Sequence, residues 1–333
     1  MIITRTPYRL SLFGGGTDYN PWFEEHGGLV IAAAMGYYCY LSVRPLPPFF
    51  EDHTSRVVYS KIESVLKHSD IQHPAVRGCL EYLGISDGVE IHHDGDLPAR
   101  SGIGSSSSFT VGLLHALHGL REKMTDARSL ATQAIHVEQD ILGESVGIQD
   151  QIMAANGGLR VIEIERTGDW KAKPLLIPLE YQQSLQDHIL LGFSGISRLA
   201  EKNAKAKVEN IRKGRTIDTI QELLGIANAG LQALSGQSDF SEIGNLLDQS
   251  WVLKRQLADG VSADWMDDLY RTAKKSGAYG GKLMGAGGGG FFFFLAPPQK
   301  HQRIKECLPQ IKVWVPFKMD NEGSQVIFYN HQH

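Results

Sequence analysis

Along the first 45 residues, apolar positions form strand-like runs at Ile2 to Arg5, Tyr8 to Phe13 and Val30 to Val43, broken by a glycine-rich turn. Leu29 to Val43 is the longest apolar run, short of the ~18 residues a membrane helix needs. Gly36 and Ser42 interrupt it, and its aromatic and β-branched content predicts a buried strand. Further on, the pattern predicts a helix near Ala75 to Leu83, a strand at Val89 to His92 and a loop from Leu97 to Gly104. Phe109, Leu113, Leu114, Leu117 and Leu120 then recur at helical spacing within Ser105 to Lys123. A second helix is expected to start at Thr125 or Asp126, both good caps. The charge-rich stretch Arg198 to Arg215 and the run Ile217 to Leu234 read as helices of a second domain. It closes with Gly280 to Gly290, a strand at Phe291 to Leu295, a helix near Lys300 to Leu308 and two last strands. The boundary is expected between Pro178 and Gln186, giving domains 1–180 and 181–333 of mixed α+β class.

Composition narrows the function classes. With 42% apolar and 21% charged residues the chain can bury a core, and its length suits about two domains. The formal net charge of −4 argues against nucleic acid as a main partner. Three scattered cysteines, without C-x-x-C, support neither a disulfide framework nor a zinc site. No secretory signal is visible at the N-terminus, so a cytoplasmic protein with no membrane partner is expected. Glycine, 36 of 333 residues, exceeds the usual ~7% and clusters at Gly14 to Gly16, Gly102 and Gly104, and Gly277 to Gly290.

Two familiar glycine motifs do not fit. A phosphate-binding G-x-x-x-x-G-K-[ST] loop fails at Gly281-Lys282, which Leu283 follows, with Ser276 where the first glycine belongs. Gly285, Gly287 and Gly290 satisfy G-x-G-x-x-G, but they run into Phe291 to Phe294, a strand rather than a helix. The loop from Leu97 to Ser108 is more informative. Its glycines free backbone N–H groups at the start of a helix, where an anion meets unpaired donors and the positive dipole end. The bland alternative is a flexible Gly/Ser linker.

Glu138 falls in the apolar stripe of Ala131, Ala134, Ile135 and Leu142, where a carboxylate is costly unless paired or metal-bound. An internal salt bridge is the competing explanation. Asp150, in Gly147 to Gln151, reads as a carboxylate entering a short helix. His92-His93 and His115/His118 complete no ligand set, and no G-x-S-x-G elbow is present.

Three segments in order resemble the motifs of the GHMP kinase superfamily. They are Pro7 to Tyr19 (PYRLSLFGGGTDY), Leu97 to Ser106 (LPARSGIGSS) and Lys282 to Gly290 (KLMGAGGGG). The resemblance implies two domains: an N-terminal α/β domain with a left-handed βαβ crossover, and a ferredoxin-like C-terminal domain, with ATP between them. It also implies that Ser101, Gly102, Ile103, Gly104, Ser105, Ser106 and Ser107 cradle the ATP phosphates and that Ser106 and Glu138 hold Mg²⁺. Asp150 would be the general base and Arg9 the group stabilising transferred charge. Asp18 and Thr17 would lie at the sugar, with Gly287 and Gly288 approaching from the other domain. A sensor on the same fold and an ATP-using decarboxylase remain rivals; a homodimer is one candidate assembly.

Gly15-Gly16 stands where galactokinases carry Glu-His, which leaves space and an N–H-rich turn suited to a larger or anionic substrate. Phe13 to Asp18, Gly195 to Arg198 and Gly281 to Gly287 most resemble the D-glycero-D-manno-heptose 7-phosphate 1-kinases, with fucose kinase-like enzymes as near neighbours. In that branch the partner is a small-molecule sugar phosphate, whose own phosphate Arg198 or Lys282 would neutralise.

Overall fold

The structure, a computed structural model, describes residues 1–47, 49, 50, 52–196 and 200–330, with backbone only at 200–202. The chain opens with β1 (Ile2–Phe13), α1 (Asn20–His26) and β2 (Gly28–Pro45). The pair expected at Ile2 to Arg5 and Tyr8 to Phe13 is thus one strand. Pro7, which has no N–H to give, coincides with a shift in register against β2 rather than a break. After β3 (Ser55–Val58), β4 (Ile62–Val65), α2 (Pro74–Leu83) and β5 (Val89–Gly95) come α3 (Ser105–Leu120) and α4 (Ala127–His136). Asp126 caps α4 by accepting from the Ser129 N–H. A π-helical turn, Val137–Ile141, leads to α5 (Gln149–Asn156), β6 (Leu159–Ile164) and β7 (Trp170–Pro174).

β2 is the spine of this first sheet. Its first half pairs with β6, its second half with β5, and nearly its whole length with β1. Its stretch Val30–Met35 is therefore buried on both faces, as the unbroken apolar run demands. β3 lies parallel to β5, and every other pairing in the sheet is antiparallel.

The second half begins with α6 (Leu179–Asp187), which spans the expected boundary, and β8 (Ile189–Phe193). Four helices follow: α7 (Ala200–Arg212), α8 (Ile217–Ser235), α9 (Phe240–Lys254) and α10 (Asp264–Ser276). Then come β9 (Gly280–Leu283), β10 (Phe291–Leu295), α11 (His301–Cys307), β11 (Val313–Pro316) and β12 (Gln325–Tyr329). The sheet order β11-β8-β10-β9, antiparallel throughout, is the ferredoxin-like order with extra helices inserted after its first strand. Successive β10 side chains point to opposite faces. Phe291 and Phe293 join a core continuous with the first sheet, while Phe292 and Phe294 pack with Trp251 and Leu269. Two further contacts tie the halves together: α8 lays Gly230 against Phe13, and β12 returns to pair with β1.

Candidate active site

The loop between β5 and α3 ends at Gly104, whose left-handed conformation (φ +76°) turns the chain into the helix. No side chain caps α3, so the N–H groups of its first turn, from Ser105 to Ser107, have no intrahelical acceptor. Uncapped N–H groups at a helix start are able to hold an anion. Arg100, a non-glycine residue at φ +59°, precedes it and donates its N–H to Ser105 Oγ. Such a strained position persists only where neighbours enforce it. Ser101 is buried, with its hydroxyl on the Pro98 carbonyl; Ile103 is buried and its carbonyl accepts from the Arg9 N–H.

The β9–β10 loop closes over this segment from the other half of the molecule. A Cβ on Gly285 would lie 2.5 Å from Gly102 Cα, and one on Gly102 would lie 2.6 Å from the Met284 carbonyl oxygen. The two glycine loops therefore meet backbone to backbone. The Phe291 N–H donates to the Ser101 carbonyl at 3.1 Å and fixes their register. Gly287 and Gly288 are buried, and the Gly288 N–H donates to Val261 rather than standing free.

Arg9, in the middle of β1, grips Asp150 in the first turn of α5. Nε donates to Oδ1 and Nη2 to Oδ2, both at 2.7 Å, and Nη1 reaches the Gly102 carbonyl at 2.6 Å. Arg9 is only 5% exposed, whereas the Asp150 side chain keeps 22%. One arginine thus joins a carboxylate to the anion-binding loop. The side-chain-free face of Gly104 lets Asp150 come close, since a Cβ there would stand 3.3 Å from Oδ2.

Asp18 is buried beside this pair. It accepts from the Gly16 N–H at 2.9 Å and from Gln149 Nε2 at 3.0 Å. Burial raises its pKa, and the Asp150 charge adds to the rise. The expected bare N–H nest at Gly15-Gly16 is corrected here: Asp18 itself occupies the Gly16 donor. At Gly15 a Cβ would stand in ordinary van der Waals contact with the side chains of Ser11 and Gln149, at 3.5 and 3.7 Å. Thr17 is also corrected. Its hydroxyl shares its one proton between the Gly14 carbonyl at 2.8 Å and the Leu29 carbonyl at 3.1 Å, accepts from the Leu29 N–H and is fully buried, so it pins the turn to β2 rather than facing a substrate.

Glu138 lies on the π-helical turn, a distortion often found at functional positions. Its Oε2 accepts from Ser107 Oγ at 2.9 Å and from Gln151 Nε2, while Oε1 is buried with no partner. Burial, helped by the Glu144 charge, pushes its pKa up to about 8. Ser107, Gln151 and Thr110, the described side chains that hydrogen-bond to it, are neutral, so an internal salt bridge is not what holds it. An orphaned carboxylate oxygen with a serine hydroxyl at a phosphate-type loop fits Mg²⁺, which takes one or two carboxylates and completes its shell with water and phosphate. The hydroxyl on Glu138 belongs to Ser107; Ser106, one residue earlier, is exposed.

Lys282 on β9 is buried, as are Lys207 on α7 and Lys254 at the end of α9. Lys254 donates to the Leu283 carbonyl at 2.6 Å. Lys207 and Lys254 were missed in the sequence, where charged helical residues read as solvated. Yet Leu247, Trp251 and Lys254 share one helical face, the same anomaly that singled out Glu138. Arg198 lies outside the described residues.

Residues 71–158 match the GHMP kinases N terminal domain family and residues 216–312 the GHMP kinases C terminal family. The chain is 28% identical over 331 residues to D-glycero-alpha-D-manno-heptose 7-phosphate kinase of Campylobacter jejuni, covering 97% of each chain. It is 26% identical over 306 residues to a bifunctional fucokinase/GDP-fucose pyrophosphorylase of Arabidopsis thaliana, covering 84% of this chain and 28% of that protein. The fold resembles a D-glycero-D-manno-heptose 1-phosphate kinase from Bacteroides thetaiotaomicron, with TM-score 0.78, 22% identity and coverage of 97% and 98%. It also resembles Lactococcus lactis galactokinase complexed with galactose, with TM-score 0.78, 19% identity and coverage of 98% and 95%. A glycine-lined loop at a helix start, a carboxylate clamped against it and a matching sequence in both halves lead to one conclusion: this chain belongs to the GHMP kinase superfamily.

Proposed function

We propose that this ATP-dependent kinase phosphorylates the anomeric hydroxyl of a heptose 7-phosphate in the cytoplasm, supplying a nucleotide-activated heptose route. The observation that carries a phosphorylated sugar is the three buried lysines beside Asp18 and the Arg9–Asp150 pair, more cationic charge than the local carboxylates balance. The Campylobacter jejuni relative, 28% identical over nearly the whole chain, supports the heptose reading. Among the described residues, no helix is long and apolar enough to cross a membrane.

In this reading the ATP phosphates lie on the N–H groups of Gly102 to Ser107. Asp18 accepts hydrogen bonds from sugar hydroxyls. As the anomeric oxygen forms its bond to the γ-phosphorus, its proton passes to the Asp150 carboxylate and the bond to the ADP oxygen breaks. Arg9 holds that carboxylate and neutralises charge on the transferred group. Positioning and charge stabilisation carry most of such a reaction. Mg²⁺ held by Glu138 and a serine of the loop neutralises phosphate charge when bound. The residues retained are those of a complete transfer apparatus, which a sensor would not need.

The test is ADP release with ATP, Mg²⁺ and a panel of heptose phosphates, free heptoses, L-fucose and galactose. Turnover dependent on a heptose 7-phosphate is the expected result. Turnover only with fucose or galactose would replace the substrate, and release of CO₂ would identify a decarboxylase.

A further inference from the structure

The three buried lysines come from separate elements, yet they converge. On α7, Asn203 and Asn210 lie one turn either side of Lys207 on the same face. They donate to the carbonyls of Gly260 and Leu257 at 2.8 and 2.9 Å, which directs this face at the segment following α9. Lys254 sits at the start of that segment, held by the carbonyl of Leu283, the neighbour of Lys282. Leu257 in turn packs against Gly16, with its Cδ1 3.6 Å from where a Cβ would stand. The cluster therefore borders the Gly15-Gly16 turn and Asp18.

Its charges are not matched by the protein. No hydrogen bond or ion pair to a described residue engages Lys207 or Lys282, which are 4% and 3% exposed. Asp150 is committed to Arg9, and Asp18 to Gly16 and Gln149. Burial pushes Lys207 down to about 8, with Asp18 opposing. Burial, Arg9 and Lys207 push Lys282 down to about 7. Unpaired buried cations are costly and persist where a ligand supplies the counter-charge. Compact ammonium groups suit a phosphate as point charges.

We propose that Lys207, Lys254 and Lys282 form the subsite for a phosphate that the sugar already carries before the reaction, distal to the hydroxyl that accepts the new one. This rests on the reading of the enzyme as a sugar-phosphate kinase and names the residues that select for it. Asp18 and the Gly15-Gly16 turn border both this subsite and the Arg9–Asp150 pair, whose charges also act on Lys254.

Affinities of D-glycero-D-manno-heptose 7-phosphate and of the unphosphorylated heptose are measured by calorimetry without ATP, for wild type, Lys207→Met and Lys282→Met. Wild type binds the phosphorylated sugar more tightly. In each variant that ratio falls about tenfold or more, the loss expected for one charge-assisted contact. Melting of the ligand-free variants is recorded beside it; both melt no lower than wild type, because an unpaired buried charge is removed. Lys207→Arg keeps part of the preference, which separates charge from packing. Equal losses for both sugars would assign the lysines to the sugar moiety the two ligands share, and no phosphate-dependent affinity in wild type would remove the subsite altogether. Either result overturns this proposal while ADP release with another sugar still upholds the kinase. A wild type that binds the sugar phosphate but releases no ADP with any sugar instead overturns the kinase reading and leaves the subsite standing.

Discussion

Asp150→Ala separates chemistry from architecture, because Asp150 is both the proposed base and half of a buried ion pair. Truncation leaves the Arg9 guanidinium, 5% exposed, with a single side-chain hydrogen bond, to the Gly102 carbonyl. Breaking a fully buried pair costs ~3–5 kcal/mol. The Asp150 side chain is 22% exposed, so water reaches the vacated space and the cost falls to about 2–3 kcal/mol. Melting should drop by roughly 3–4 °C for a cooperative unit of this length. Turnover should fall ~10²–10⁴-fold from loss of the base, with ATP affinity little changed because the N–H groups of the loop remain. The decisive companion is Arg9→Met with Asp150→Ala, which removes both charges. Calorimetric melting should recover most of the lost stability, while coupled ADP release shows no recovery of turnover. An Asp150→Ala enzyme within about tenfold of wild-type turnover would refute the catalytic role. A double variant as unstable as the single one would refute the buried pair as the source of the loss.

Three other outcomes follow from the geometry. Gly285→Ala puts a methyl 2.5 Å from Gly102 Cα at a positive φ, so the two loops must part. Melting should fall by several degrees and kcat/KM by more than tenfold, whereas unchanged kinetics would mean that the loops need not touch. Glu138→Gln should abolish Mg²⁺-dependent turnover and alter ligand-free stability in a pH-dependent way. The raised pKa of about 8 means that the native state binds more protons than the unfolded chain above the ordinary glutamate range. Its stability contribution is therefore full below about 4.5 and is lost as pH rises through about 8. Wild type should lose denaturant stability between pH 6 and 9 by more than the variant does, and parallel pH profiles would contradict this. Finally, burial pushes Lys207 down to about 8, against the pull of Asp18, and burial with the Arg9 and Lys207 charges pushes Lys282 down to about 7 in the free enzyme. KM for the phosphorylated sugar should thus rise as pH climbs from about 7 to 9, more steeply than for the free sugar; equal slopes would argue against lysine–phosphate contact.

Local regularities of the sequence carried much of this site. The helical repeat beginning at Phe109, the glycines at 102 and 104 and the misplaced carboxylate at Glu138 are properties of one element each. A period, a backbone angle or a charge on an apolar stripe can be read without knowing what packs against it. Inserted regularity is harder to see: β6, β7, β8 and α9 have short or mixed patterns that carry no strong period. The two apolar runs Ile2 to Arg5 and Tyr8 to Phe13 are one strand in the structure, since pairing along β2 outweighs the single donor missing at Pro7.

Tertiary structure decided everything that depends on two distant segments meeting. Composition could place Gly102 and Gly285 in loops, but only the shared core brings them within van der Waals contact. Only the fold shows that the Gly16 N–H is spent on Asp18, that Thr17 closes a turn and that Ser107 rather than Ser106 touches Glu138. Lys207 and Lys254 read in sequence as ordinary helical charges, and only Lys282, through the family resemblance, stood out as a phosphate contact. Their burial beside Asp18 follows from helices inserted into a second sheet and packed against the first, and a local pattern contains no record of that approach. The sequence by itself determined the family of loops and the chemistry available at each. The physical reason the rest lay beyond it is that electrostatic crowding and backbone contact are set by distance in space, not by spacing along the chain.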